Sequence, residues 1–182
     1  NYKIKALHDS LFECITNGEQ DKFERIYNNN NIDVNIVNSE GYTLINHAII
    51  SDLNIVDSEF YVLFLLKRSI DVNIPNEYGI TPLMNTIMER KYKLMNILLE
   101  NCNNINVNHQ DKSGRTALIC AILYISDVRK MKKIIKTLFK HGAVNDLIDN
   151  ENLSAIDYTE YENYSIKYLV RTEGRNILKR MF

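Results

Sequence analysis

Tryptophan is absent, glycine occurs 6 times and proline 2 times in 182 residues. So few turn formers argue against an all-β fold, whose many tight turns draw on both. Long hydrophobic runs are missing too. The longest, Phe60 to Leu66, is about a third of what a bilayer span needs. Nor does one sign of charge dominate. With Lys+Arg 22 and Asp+Glu 23 the net charge is −1, so no global basic field points to nucleic acid. Cysteine is limited to Cys14, Cys102 and Cys120, an odd and widely spaced set that makes no disulfide framework and reads as reduced thiols. His8, His47, His109 and His141 have no Cys or His partner at metal-ligand spacing. The start shows no signal-peptide pattern. Together with the reduced thiols, this gives an expected location in the cytoplasm or nucleus. The chain opens on Asn1 rather than Met, which suggests a region of a longer protein.

What is present is a globular balance, 45% hydrophobic and 25% charged residues, and an excess of asparagine, which occurs 24 times. The run Asn28 to Asn31 reads as a polar loop. Asn152-Leu153-Ser154 and Asn163-Tyr164-Ser165 match the glycosylation sequon, which in so asparagine-rich a chain reads as chance.

The informative feature is an internal repeat. Four segments share one frame: Asn38 to Ile45, Asn76 to Leu83, Asp111 to Leu118 and Asp149 to Ile156. Gly41, Gly79, Gly114 and Asn152 fall in one column at spacings of 38, 35 and 38. These residue types tolerate the positive φ of a left-handed turn. Two positions on, Thr43, Thr81, Thr116 and Ser154 can cap the helix that follows. Pro82 sits where a first helical turn accepts proline. Ile45, Leu83, Leu118 and Ile156 begin a buried face, and Ala48, Thr86, Ala121 and Thr159 are small enough for close helix packing. Each unit then runs through an apolar helix into a short extended stretch. These stretches are Ile32-Asp33-Val34-Asn35, Ile70-Asp71-Val72-Asn73, Ile105-Asn106-Val107-Asn108 and Gly142-Ala143-Val144-Asn145. The pattern predicts helix, turn, helix and a projecting hairpin-like turn.

This pattern resembles the ankyrin repeat. The resemblance rests on Gly79-Ile80-Thr81-Pro82-Leu83, its relaxed copies, and Gly142-Ala143-Val144-Asn145. It implies an all-α solenoid in one domain over 1–182, with approximate units 1–37, 38–75, 76–110, 111–148 and 149–182. The first unit keeps a helix pair, with Leu11, Cys14 and Gly18 at the family's Leu, Ala and inter-helix Gly. The last unit is a degenerate cap. The family's usual His after the Leu is replaced by Asn46, Met84, Ile119 and Asp157, so the inter-repeat bonds of that His are expected to be mostly lost. Units two and four carry extra residues near 51–59 and 125–130, and unit three near 101–104, expected to lengthen helices or loops without breaking the stack.

No phosphate loop, nucleophile elbow or metalloprotease motif is present, so neither catalysis nor a cofactor is expected. The resemblance implies instead a non-enzymatic module that holds a protein or peptide segment along a concave face, with no small-molecule substrate and no membrane. Candidate contacts at the hairpins are Tyr42, Glu77, Tyr78, Ile80, Lys112, Arg115 and Leu153. On the inner helices they are His47, Ile50, Asn85, Met88, Glu89, Cys120 and Tyr124. Tyr42, Tyr78, Ile80, Met88, Arg115 and Tyr124 are of the types that anchor interfaces; packing between neighbouring repeats is the competing reading. In Arg129 to Lys140, Met131, Ile134, Ile135, Leu138 and Phe139 follow helical spacing. The lysines between them then face solvent, and a patch for an acidic partner or nucleic acid ranks below that. Ile177, Leu178, Met181 and Phe182 are expected to close the end of the core. The module is expected to be an adaptor region of a larger regulatory complex. The alternatives are a viral or bacterial protein that captures a host factor, and an accessory domain of an enzyme.

Overall fold

The computed structural model describes residues 2–68, 70–160 and 164–181, without the side chains of Lys3, Tyr164 and 175–181. The chain divides into two compact units, Asn1–Ile105 and Asn106–Phe182. The first holds α1 (Tyr2–Asn17), α2 (Gln20–Asn28), α3 (Leu44–Ile50), α4 (Ile55–Leu66), α5 (Pro82–Met88) and α6 (Tyr92–Asn101). The second holds α7 (Ala117–Tyr124), α8 (Val128–Lys140), α9 (Ala155–Tyr158) and α10 (Tyr164–Met181).

Within each unit, helices of one pair pack on each other and on the equivalent helices of the next pair. In the first unit α1, α3 and α5 form an inner row and α2, α4 and α6 an outer one. In the second, α7 packs on α9 and α8 on α10. The fold is the expected all-α arrangement of stacked helix pairs. Among the described residues, the extended pairings are the isolated bridges Val37–Thr43 and Ile148–Ser154.

The short inner helices begin where the hydroxyl column sits. The Oγ1 of Thr43, Thr81 and Thr116 accepts from the N–H of Asn46, Met84 and Ile119, satisfying a donor that the first turn leaves free. At Ser154 the Asp157 carboxylate takes over, accepting from the Ser154 N–H at 2.8 Å. Two ways of joining helices alternate. α1–α2 and α5–α6 turn sharply on a left-handed residue, Gly18 (φ 70) and Arg90 (φ 57). α3–α4 and α7–α8 spend their extra residues on a connector that ends in an Asx cap. Asn54 accepts from the N–H of Val56 and Asp57, and Asp127 from that of Arg129 and Lys130.

The core follows the repeat columns. Ile45 is fully buried, Leu83 and Leu118 are nearly so, and Ala48, Thr86, Ala121 and Thr159 are closed off from solvent. Two expectations are corrected. Ile156 is only half-buried, because α9 is a single turn of 4 residues. The lost inter-repeat bond is replaced at the first position. Buried Asn46 donates to the Ile74 carbonyl at 3.3 Å and accepts from Asn85 at 2.8 Å. The backbone of α10 is helical through Met181; the apolar closure assigned to Ile177, Leu178, Met181 and Phe182 lies outside the described residues.

Candidate protein-interaction surface

The four repeat turns are built alike. Asn38, Asn76, Asp111 and Asp149 each open one, and each Oδ1 accepts from the backbone N–H two and four residues on, at 2.8 to 3.1 Å. This is the Asx turn, in which a short polar side chain stands in for a backbone carbonyl. The opening residue also pairs through its own N–H with the carbonyl of Tyr42, Ile80, Arg115 or Leu153. The fourth residue of each turn takes positive φ: 76, 78 and 78 at the glycines and 61 at Asn152.

Neighbouring turns are stitched together. A methyl group on Gly114 would stand 2.8 Å from Asp149 Cα, and one on Gly41 3.1 Å from the Glu77 nitrogen. Glycine there serves close approach as well as positive φ. Asn150 donates to the carbonyls of Ser113 and Lys112 at 2.9 Å each. The asparagine of the extended stretch adds further links. Asn35 accepts from the Asp71 N–H at 2.9 Å. Asn108 accepts from the Val144 N–H and donates to the Gly142 carbonyl, both at 2.9 Å. Much of the asparagine excess is therefore structural, a role that the recurring column carried and residue type alone did not reveal.

These turns hold side chains outward. In the first unit Tyr78 is 58% exposed, Glu77 and Glu89 are exposed, and Tyr42, His47, Ile50, Ile80 and Met88 are half-buried. In the second, Lys112 and Tyr124 are exposed and Arg115 and Leu153 half-buried. Two candidates are not available at the surface. Asn85 is 5% exposed because it completes the Asn46 bridge, and Cys120 is 1% exposed inside α7. Burial pushes the Cys120 thiol up to about 12, so it stays protonated and inert. The candidate set overlooked Val37 and Ile148, half-exposed apolar residues that directly precede the Asx residue of their turns. That adjacency was the available signal.

Three titratable groups at this surface, Tyr158, Asp149 and His47, are shifted from their ordinary values. The Tyr158 hydroxyl donates to Asp149 at 2.5 Å, and that bond, with burial behind it, pushes the phenol up to about 12. Burial alone would raise the Asp149 carboxyl. The bonds from Tyr158, Leu153 and Glu151 outweigh it and hold the carboxyl below its ordinary value. His47 lies edge-on to Phe12 at 5.3 Å, with Nε2 2.9 Å from the Thr16 hydroxyl. That hydroxyl donates to the Phe12 carbonyl, so Nε2 is the donor and Nδ1 is the bare nitrogen, buried with no partner among the described residues. Burial lowers the His47 pKa, against an opposing pull from Glu40 and the Phe12 carbonyl. Among the described residues, no group of His, Cys, Asp or Glu side chains is arranged to hold a metal ion, and no helix is long and apolar enough to cross a membrane.

Known proteins match the same frame. The ankyrin-repeat family model, three copies in length, matches residues 11–111 and 57–149. Putative ankyrin repeat protein FPV024 of Fowlpox virus (strain NVSL) is 33% identical over 130 residues, 71% of this chain and 20% of its own length. Alpha-latrotoxin-Lg1a of Latrodectus geometricus is 27% identical over 117 residues, 63% of this chain and 8% of its own length. The chain therefore spans a fifth or less of either relative. Ankyrin repeats are generally non-enzymatic protein-interaction modules. With its glycine column, hydroxyl caps and Asx turns in register, this chain belongs to the ankyrin-repeat family.

Proposed function

We propose that residues 1–182 work as one repeat domain that holds an extended segment of a protein partner on its turns and inner helices. The observation that supports this most directly is the uniform Asx-turn geometry, which makes rigid platforms for exposed Tyr78, Val37 and Ile148. Rigid presentation lowers the ordering cost of binding, and aromatic and apolar anchors supply most of the energy in such interfaces. In the first unit the anchors are Tyr42, Tyr78, Ile80 and Met88, flanked by His47, Ile50, Glu77 and Glu89. In the second they are Arg115, Tyr124 and Leu153, flanked by Lys112. Asn85 and Cys120 act from beneath, as packing. We assign the domain to the cytoplasm or nucleus, as an adaptor region of a larger regulatory assembly. The fowlpox relative supports a second setting for the same surface, a viral protein that captures a host factor.

The test combines Tyr42→Ala, Met88→Ala and Tyr124→Ala. Partners captured by the wild type are identified by mass spectrometry, and the strongest is remeasured with the purified triple variant. Its affinity is expected to fall by a factor of about ten or more, since one anchor alone contributes about 1 kcal/mol or more, while thermal unfolding stays near the wild-type temperature. Unchanged affinity would rule this surface out.

A further inference from the structure

The outer helices of the second unit frame a groove that the surface described above does not use. Between α8 and α10 lies an open cavity of about 550 Å³, lined by Lys132, Lys136, Ser165, Tyr168 and Leu169. Leu169 is 9% exposed and gives the groove an apolar floor, while Tyr168, at 62% exposed, stands as an aromatic wall. The rim is cationic. From Val128 to Lys140 the sequence VRKMKKIIKTLFK carries six basic residues and no acidic one, in a chain whose net charge is only −1.

The face of α8 that packs inward accounts for Met131, Ile134, Ile135, Leu138 and Phe139, all buried. It does not account for the charges. Some outer-helix cations elsewhere have carboxylates beside them. Lys93 of α6 meets Glu59 of α4 at 2.5 Å, and Lys167 of α10 meets Glu160 at 2.9 Å. Among the described residues, neither Lys132 nor Lys136 has an ion-pair partner. A helix that merely faced water would lose stability from six mutually repelling charges and gain nothing from their common sign. Cations beside an apolar floor match a ligand that brings carboxylates and an apolar side chain together.

We propose that the groove between α8 and α10 is a second docking site, which takes an acidic amphipathic segment of a protein partner. Its carboxylates lie on Lys132 and Lys136, and one of its apolar side chains lies on Leu169 against the Tyr168 ring. Helix-in-groove recognition of this kind reads an apolar anchor with flanking charges, and rim lysines set the encounter rate and its salt dependence. A nucleic-acid backbone would meet the lysines but has nothing to set on the floor. The ligand chemistry therefore favours a protein.

The test uses the whole chain and three fluorescent probes. The first is a synthetic peptide of about 15 residues, helical by design, with Glu on one stripe and Leu and Phe on the next, and a twin in which Leu and Phe become Ser at unchanged charge. The others are an oligonucleotide duplex and phosphatidylserine vesicles. The apolar-acidic peptide is expected to bind, and its Ser twin to bind at least about tenfold more weakly. Lys132→Glu with Lys136→Glu is expected to weaken the peptide about tenfold or more, and Tyr168→Ala about fivefold. Thermal unfolding of these variants verifies the fold. The Tyr42, Met88 and Tyr124 variant is expected to bind the peptide unchanged, which separates this site from the turn surface. The proposal is overturned by no binding of the peptide, by equal binding of the Ser twin, by indifference to Tyr168→Ala, or by tighter binding of duplex or vesicles lost with the same lysines.

Discussion

The two compact units meet the same packing problem with different side chains. In Asn1–Ile105 the outer helices are held by aromatic rings. Phe23 lies edge-on to Tyr61 at 5.1 Å and to Phe64 at 5.3 Å, and Tyr27 meets Phe64 at 5.5 Å. The Arg68 guanidinium covers the Phe64 ring 3.2 Å from its centroid. In Asn106–Phe182 the equivalent helix α8 buries Met131, Ile134, Ile135 and Leu138 and a single ring of its own, Phe139. Helix α4 packs against both α2 and α6 and can be apolar on several sides, whereas α8 is apolar on one stripe and basic on the rest. A helix inside a row of helices and a helix with a charged face therefore begin with the same Asx cap and differ in almost everything else.

The largest expected effect tests the aromatic cluster. Phe64→Ala removes a ring that touches Phe23, Tyr27, Phe60 and Arg68 at once. A cost of about 3–5 kcal/mol is expected, read as a drop in the urea midpoint. Phe139→Ala in α8 empties a site without ring partners among the described residues and should cost less, because stacking adds about 0.5–1.5 kcal/mol beyond burial. Equal losses would break the contrast between the units.

Turns come next. Gly114→Ala is forced into positive φ, which costs about 1–2 kcal/mol, and drives its methyl to 2.8 Å from Asp149 Cα. Gly41→Ala meets the same φ penalty with a looser 3.1 Å approach. Gly114→Ala is therefore expected to lower the thermal midpoint more than Gly41→Ala. The reverse order would mean that positive φ alone governs these positions.

The same contrast decides what the sequence made legible. Helix α8 was readable because its one apolar stripe obeys the helical period. Helix α4 gave an apolar run and no period, since it is covered by α2 as well as α6. The glycine and hydroxyl columns were legible because a left-handed turn and a helix cap each accept few residue types. Asn85 and Cys120 were misjudged because inner-helix positions look alike in sequence. The Asn46 bridge, which buries Asn85, is a pairing across 39 residues that no local pattern records.

His47 offers a pH-dependent test in the first unit. Burial lowers its pKa below the ordinary 6.5. As pH falls through 6.5 the unfolded chain takes up this proton before the folded one does. Stability from His47 is therefore present above that pH and is lost toward the lower folded value. Acidification should lower the thermal midpoint of the wild type more than that of His47→Gln. Parallel curves would show that the bare Nδ1 costs nothing on protonation.

The smallest expected effect sharpens the contrast from inside α4. Ser58 is fully buried, and its hydroxyl has no hydrogen-bond partner among the described residues. A buried hydroxyl without a partner loses its water and gains no bond in return, which costs about 1–3 kcal/mol. Ser58→Ala removes that burden and leaves a void of one oxygen atom. In a helix interior alanine is also favoured over serine. The substitution should leave stability unchanged or raise it by up to about 1 kcal/mol. Thr86→Ala should do the opposite, because the Thr86 hydroxyl bonds the Leu83 carbonyl at 2.7 Å. Loss of stability in Ser58→Ala would mean that the hydroxyl is satisfied in solution, and that the buried face of α4 admits a polar group beside its aromatic residues.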